Sequence, residues 1–218
     1  MTEVQIHEAV ALLAEAVIGW KTPAVTIVSQ REGNPFKVLI SCILSLRTQD
    51  RTTGAASERL FALADTPEKM MVLPCDTIEK TIYPVGFYRT KAAHILEICR
   101  ILDTEYGGNV PDEIDELLKL KGVGRKTANL VVTLGYGKPG ICVDTHVHRI
   151  CNRWGYVVTR TPEETEFALR EKLPKEYWIV INDLLVTFGQ NQCSPLSPRC
   201  STCRLAHLCD RVGVGKSR

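Results

Sequence analysis

The sequence predicts an all-α fold, on three observations. Apolar residues recur at helical spacing along most of its 218 residues. Period-two alternation, which marks a half-buried strand, is scarce. The breaks between periodic stretches are short and carry Gly, Pro and Asn, as at Gly33-Asn34-Pro35, Pro74, Gly107-Gly108-Asn109 and Gly137-Lys138-Pro139.

Taken in order, Val10, Leu13, Val17 and Trp20 define one face of an N-terminal helix. The run Val38 to Leu46, VLISCILSL, has the composition of a buried strand; in an otherwise helical chain it reads as a fully buried helix. Ala92, Ile95, Cys99 and Leu102 share the next face. Ile114, Leu117, Leu118 and Leu120 mark an apolar helix that ends near Lys119. Thr161 and Pro162 open a helix containing Phe167, Arg170 and Leu173, with Glu163 and Glu164 placed favourably in its first turn. Composition shifts near Gly140, and two helical lobes are expected. Gly213 to Arg218 is the one stretch that reads as disordered.

Hydrophobic residues make up 44% of the chain and charged residues 24%, an ordinary balance for a soluble protein. The net charge is only +2, so any nucleic-acid surface must be a local concentration of positive charge. The apolar stretch Ala9 to Trp20 is interrupted by Glu15 and lacks a basic leader, and no run is long enough to cross a bilayer. The expectation is an intracellular, cytoplasmic and nucleoid-associated protein with no membrane partner.

The nine cysteines are unevenly spread. Cys42, Cys75, Cys99, Cys142 and Cys151 stand singly in apolar or mixed stretches and read as small buried residues. Cys193, Cys200, Cys203 and Cys209 crowd together as C-x6-C-x2-C-x5-C. In a reducing compartment that cluster points to a metal centre. Structural zinc commonly uses two C-x2-C pairs, and only one is present. The spacing favours an iron–sulfur cluster and leaves zinc open.

Leu117 to Leu134, LLKLKGVGRKTANLVVTL, reads as helix, glycine turn, helix, the second helix starting near Lys126. Glycines at 122 and 124 accept a tight turn. Amides at the turn and at the second helix's start suit a phosphate oxygen, with Arg125 adding a cation and Val123 plugging the hairpin. An ordinary helical hairpin explains the same pattern. Asp144 reads as the N-cap of a helix starting Thr145-His146-Val147. His146 and His148 lack acidic or cysteine partners at ligand spacing and read as hydrogen-bonded structural histidines, His146 orienting Asp144 or its loop.

In combination, LKGVGRKTANLVV, VDTHVHRICNRWG and the cysteine ending resemble the endonuclease III family of helix–hairpin–helix DNA glycosylases. FKVLISCILSLRTQD and VGFYRTKAAHI extend the similarity over nearly the whole chain. The resemblance implies a six-helix barrel lobe over 28–139 that carries the hairpin. It implies a discontinuous [4Fe–4S] lobe over 1–27 and 140–218, with the active site in the cleft between the lobes. It puts Lys126 and Asp144 on the catalytic lysine and aspartate, the four clustered cysteines on the cluster ligands, and Gly122, Val123 and Gly124 on the phosphate-binding hairpin. Phe87 falls where the family inserts a side chain into the gap left by an extruded base. Arg47 stands at the family's usual glutamine, with Gln49 two positions later, which leaves the opposite-base preference open. Arg199 and Arg204 are candidate phosphate contacts beside the cluster.

The implied activity is a bifunctional glycosylase and abasic-site β-lyase acting on double-stranded DNA, with oxidised pyrimidines as substrates, as a monomer. Lys126 would attack as a neutral amine, its charge suppressed by burial, the helix start and Arg125, and favoured by Asp144. Two rivals compete. A mismatch glycosylase of the same superfamily would lack the lysine after the hairpin. A zinc-bearing DNA-binding module would bind DNA without cutting it.

Overall fold

The structure, a computed structural model, describes residues 1–20 and 24–218, without the side chains of residues 3 and 30–32. The described residues form twelve α-helices and no strand. These are α1 (Glu3–Ala16), α2 (Ala24–Glu32), α3 (Pro35–Ser45), α4 (Asp50–Leu63), α5 (Pro67–Met71) and α6 (Cys75–Ile82), followed by α7 (Tyr88–Tyr106), α8 (Ile114–Leu117), α9 (Arg125–Leu130), α10 (Thr145–Arg153), α11 (Pro162–Lys172) and α12 (Ile181–Asn191). A π-helical turn, Val131–Gly135, continues α9, and Cys200–Thr202 is a short 3-10 turn. Among the described residues no helix is long and apolar enough to cross a membrane. The chain divides into two compact units, after residue 23 and again after residue 138.

The central unit, residues 24–138, is organised around α3. Pro35 sits at the first helical position, and the Asn34 side chain accepts the amides of Phe36 (2.9 Å) and Lys37 (3.4 Å), so sequence alone starts the helix. Every residue from Val38 to Leu44 is buried. A helix apolar all round needs neighbours on every side, and α3 packs against α2, α4, α7, α9 and the π-helical turn. The run VLISCILSL is thus a buried helix through Ser45, and it leaves helical geometry at Leu46 (φ −58°, ψ 119°). The helix α7 buries Ala92, Ile95, Cys99 and Leu102 on the expected face. It ends where Gly107 turns left-handed (φ 57°), with the Gly108 amide donating to Leu102 O at 2.8 Å.

The terminal unit combines α1 with α10, α11 and α12. Its core includes Ile6, Leu13, Val147, Ile150, Trp154, Leu169, Leu185 and Phe188. Thr2 and Gln5 form a capping box on α1, and Thr161 caps α11 through the Glu164 amide. The helix α10 packs against both α11 and α12.

Three expectations are corrected. The first hairpin helix ends at Leu117, and three-residue turns carry the chain on to Leu120. Cys75 is half-buried at the start of α6, unlike Cys42, Cys99, Cys142 and Cys151, which are buried. The C-terminal stretch is tied down. Arg218 donates its amide to Pro198 O (2.8 Å) and accepts from the Ser201 amide (2.9 Å).

Leu39 is fully buried in α3. Leu39→Ala should lower the unfolding free energy by about 2–5 kcal/mol in denaturant titration followed by circular dichroism. A change below about 1 kcal/mol would show that α3 is not the packing centre of its unit.

Candidate active site

The hairpin closes as its glycines allow. Gly122 is left-handed (φ 79°), and a Cβ there would lie 2.8 Å from His94 Nδ1, so both the backbone angle and the space require glycine. Val123 is buried, and its amide donates to Leu120 O at 3.1 Å. Gly124 is extended (φ −102°), faces open space and precedes Arg125, the first residue of α9. The amides of a helix's first turn have no intrahelical acceptor, so this corner offers donors to an anion.

Lys126 follows on α9 and is exposed. The protein by itself therefore does not provide the burial that was expected to suppress its charge. The lysine lies close enough to α3 for its charge to oppose, in part, the burial that pushes the Cys42 thiol up to about 12.

Two other turns of the same unit meet each other. Arg47 (φ 51°) and Phe87 (φ 57°) are both non-glycine residues in the left-handed region, a conformation that costs about 1–3 kcal/mol each. Both side chains are exposed, Phe87 at 62%, and the Arg47 guanidinium lies 5.6 Å from the Phe87 ring centre. The Gly86 amide donates to Thr48 Oγ1 at 3.1 Å, and a Cβ on Gly86 would sit 2.6 Å from Arg47 O.

In the terminal unit, Asp144 caps α10. Its Oδ1 accepts the amides of His146 (2.8 Å) and Val147 (3.0 Å), while Oδ2 lies 2.9 Å from His146 Nδ1. An ionised carboxylate only accepts, so Nδ1 carries the proton in that pair. The carboxylate is 10% exposed and its orientation is set by three donors. His148 bonds Thr165 Oγ1 through Nδ1 (2.7 Å).

The other end of α10 reaches the cysteine loop. Arg153, 8% exposed, donates to Cys193 Sγ (3.3 Å), Ser194 O (2.8 Å) and Pro195 O (2.7 Å). Arg149 donates to Cys193 O at 2.9 Å. Cys193, Cys200, Cys203 and Cys209 line one small cavity, walled by Trp154 and Phe188. Among the described residues no three His, Cys, Asp or Glu side chains converge closely enough to hold a single ion. Four thiolate donors around one cavity fit a soft metal centre. Burial raises the Cys203 and Cys209 thiols, and a bound metal reverses that by taking thiolates. Arg199 is exposed at the cavity edge, and Arg204 pairs with Glu15 Oε2 at 3.4 Å.

Residues 40–175 match the family profile described as HhH-GPD superfamily base excision DNA repair protein. The sequence is 49% identical to Endonuclease III of Thermotoga maritima, over 87% of this chain and 91% of that one. The chain belongs to the endonuclease III family. Two solved structures resemble it over 97% of its length. A non-covalent Endonuclease III–DNA complex matches with a TM-score of 0.85, 36% identity and 96% of that chain covered. A trapped Endonuclease III–DNA covalent intermediate matches with a TM-score of 0.84, 35% identity and 97% of that chain covered.

Within this family member, sequence reasoning missed the contacts of His94, Arg149 and Arg153. Each acts on residues distant in sequence. It also missed Gly189 on α12, where a Cβ would meet His146 Cδ2 at 2.6 Å and Arg149 Nη2 at 2.9 Å. Gly189→Ala should therefore destabilise the protein by about 1–3 kcal/mol in thermal or denaturant unfolding. Gly124→Ala, in open space with a negative φ, should stay within about 0.5 kcal/mol. Equal effects at the two positions would contradict the close approach of α10 to α12.

Proposed function

We propose that this protein is a bifunctional DNA glycosylase and abasic-site lyase of base-excision repair, which removes oxidised pyrimidines from duplex DNA. The observation that carries the reading is the joint presence of Lys126 beside a glycine hairpin and a half-buried, triply bonded Asp144 in a chain of this family. The mismatch-glycosylase rival lacks a lysine at that place.

The target base must leave the stack before its glycosidic bond can be reached. Amides around Gly122–Gly124, with Arg125, would hold a backbone phosphate, and Phe87 and Arg47 would fill the vacated stack. Lys126 Nζ, as the free amine, attacks C1′. The C1′–base bond breaks and the base leaves with its electron pair, taking up a proton. Ring opening gives a Schiff base between Lys126 and C1′. Loss of a C2′ proton then expels the 3′ phosphate and cuts the strand. The free amine forms once bound DNA excludes water around the exposed lysine, since desolvation disfavours the ammonium. Asp144 stabilises the positive charge that builds on the sugar, and its fixed orientation removes the need to reorganise during the reaction.

Cys193, Cys200, Cys203 and Cys209 would hold a [4Fe–4S] cluster, which when bound cross-links the C-terminal loop. Arg153 would donate to the Cys193 thiolate and Arg199 would reach phosphate. Arg204 is the weaker phosphate candidate because Glu15 offsets its charge.

Borohydride should trap wild-type protein on duplexes containing thymine glycol or an abasic site, and Lys126→Ala should abolish the adduct on both. No adduct with wild type on either duplex would sink the lysine mechanism. Asp144→Asn keeps an N-cap and loses the charge, so base excision should fall by about 100-fold or more with stability changed by less than about 1 kcal/mol. Purified protein should be brown, with iron and acid-labile sulfide each near four per chain. One zinc and no iron would overturn the cluster assignment.

A further inference from the structure

Arg47 and Phe87 hold strained left-handed conformations on two separate turns, and neither is glycine (φ 51° and 57°). Such conformations persist only where their surroundings fix them. One residue is bonded to both turns. Lys91 lies in the first turn of α7, and its backbone amide donates to Phe87 O at 3.0 Å. Its side chain runs the other way. The ammonium donates to Leu44 O (2.9 Å), Leu46 O (2.6 Å) and Thr48 Oγ1 (3.2 Å), the residues that flank Arg47.

This arrangement is unusual for a lysine. Lys91 is 6% exposed, and no carboxylate among the described residues pairs with it. Its three donors meet three neutral oxygens, two of them carbonyls at the end of α3, where the helix has no basic residue of its own. Burial pulls the ammonium down to about 8, and the three acceptors work in the other direction. Thr48 Oγ1 also accepts the Gly86 amide, so the bonds close into a ring: Lys91 to Thr48, Thr48 to Gly86, and Phe87 back to Lys91. A Cβ on Gly86 would sit 2.6 Å from Arg47 O, so the two turns approach backbone to backbone.

We propose that Lys91 is a positioning residue for base extrusion: its buried ammonium clamps the Arg47 and Phe87 turns together, so that both side chains enter the duplex as one preformed wedge. The inference rests on the DNA-repair reading above and adds a residue to it. A preformed wedge needs no ordering at the moment the base leaves, so it speeds the step that requires extrusion. An abasic site has no base to extrude and depends on the clamp far less.

The test uses Lys91→Met, which keeps the length of the side chain and removes its three donors. Thr48→Val opens the same ring at a less buried point. Single-turnover rates would be measured on thymine glycol and abasic duplexes, with and without Phe87→Ala. We expect base excision to slow by about 30-fold or more and abasic-strand cleavage by less than about 3-fold. In the Phe87→Ala background, Lys91→Met should add less than about 3-fold, because with one member of the wedge gone there is no pair of side chains left to hold in register. Equal losses on both duplexes, or a full loss that persists without Phe87, would overturn the clamp. Should Lys91→Met fail to fold, Thr48→Val carries the same split of rates, and an equal fall on both substrates overturns the proposal. Wild type that acts on neither duplex would remove the repair reading itself. Normal excision by Phe87→Ala in an active protein would remove the wedge, and the clamp with it.

Discussion

Helix ends leave backbone groups that burial will not tolerate unpaired, and the functional geometry of this protein depends on how those groups are satisfied. At the end of α3 the last carbonyls are met by an ammonium from α7. At the start of α10 two amides are met by the Asp144 carboxylate. Past the end of α12, carbonyls of the cysteine loop are met by the Arg153 guanidinium of α10. Before α9 a Cβ on Gly124 would meet open space, next in sequence to Arg125, the neighbour of the exposed Lys126. In three places the partner is a charged side chain with a further task, and in the fourth the opening suits a phosphate.

The economy of the design is clearest in α10. Eight residues lie between Asp144 and Arg153, which donates to the first cysteine of the cluster motif. A helix this short is marginal alone, and its stability comes from packing against α11 and α12. The glycine at 189 lets α12 approach close enough to touch His146 and Arg149. The same packing that holds the helix therefore holds the carboxylate at one end and the cysteine loop at the other. The cysteines need no redox chemistry to matter in this scheme, because folding the loop onto α10 already links them to the site.

Of the four left-handed non-glycine residues among the described residues, two lie where entry into the duplex is proposed, and the others, Ser197 and Arg211, lie near the clustered cysteines in sequence. Arg47 and Phe87 are left-handed without being glycine, and they belong to the turns that bear the most exposed candidate wedge groups. An exposed aromatic in a strained turn gains little for folding. Its geometry is sustained by buried bonds behind it, and the benefit falls on a bound duplex.

Much was legible in the sequence, for physical reasons that stay local. Helical periodicity, Asn34-Pro35, Thr161-Pro162 and Gly107 determined where helices start and stop, because caps act within a few residues. The unbroken apolar run of α3 determined that it is buried on all sides. The cysteine spacing pointed to a metal centre by residue type alone, whereas the glycine hairpin and Asp144 became candidates for chemistry only through the family resemblance. The tertiary structure decided the rest. Lys126 proved exposed, since burial is a property of neighbours that the sequence brings from elsewhere. Cys75 proved half-buried, and Arg218 proved to be tied to Pro198 and Ser201. Lys91 meets residues more than forty positions away, as does Arg153. A buried charge finds its partners through packing, and packing is not written in local spacing.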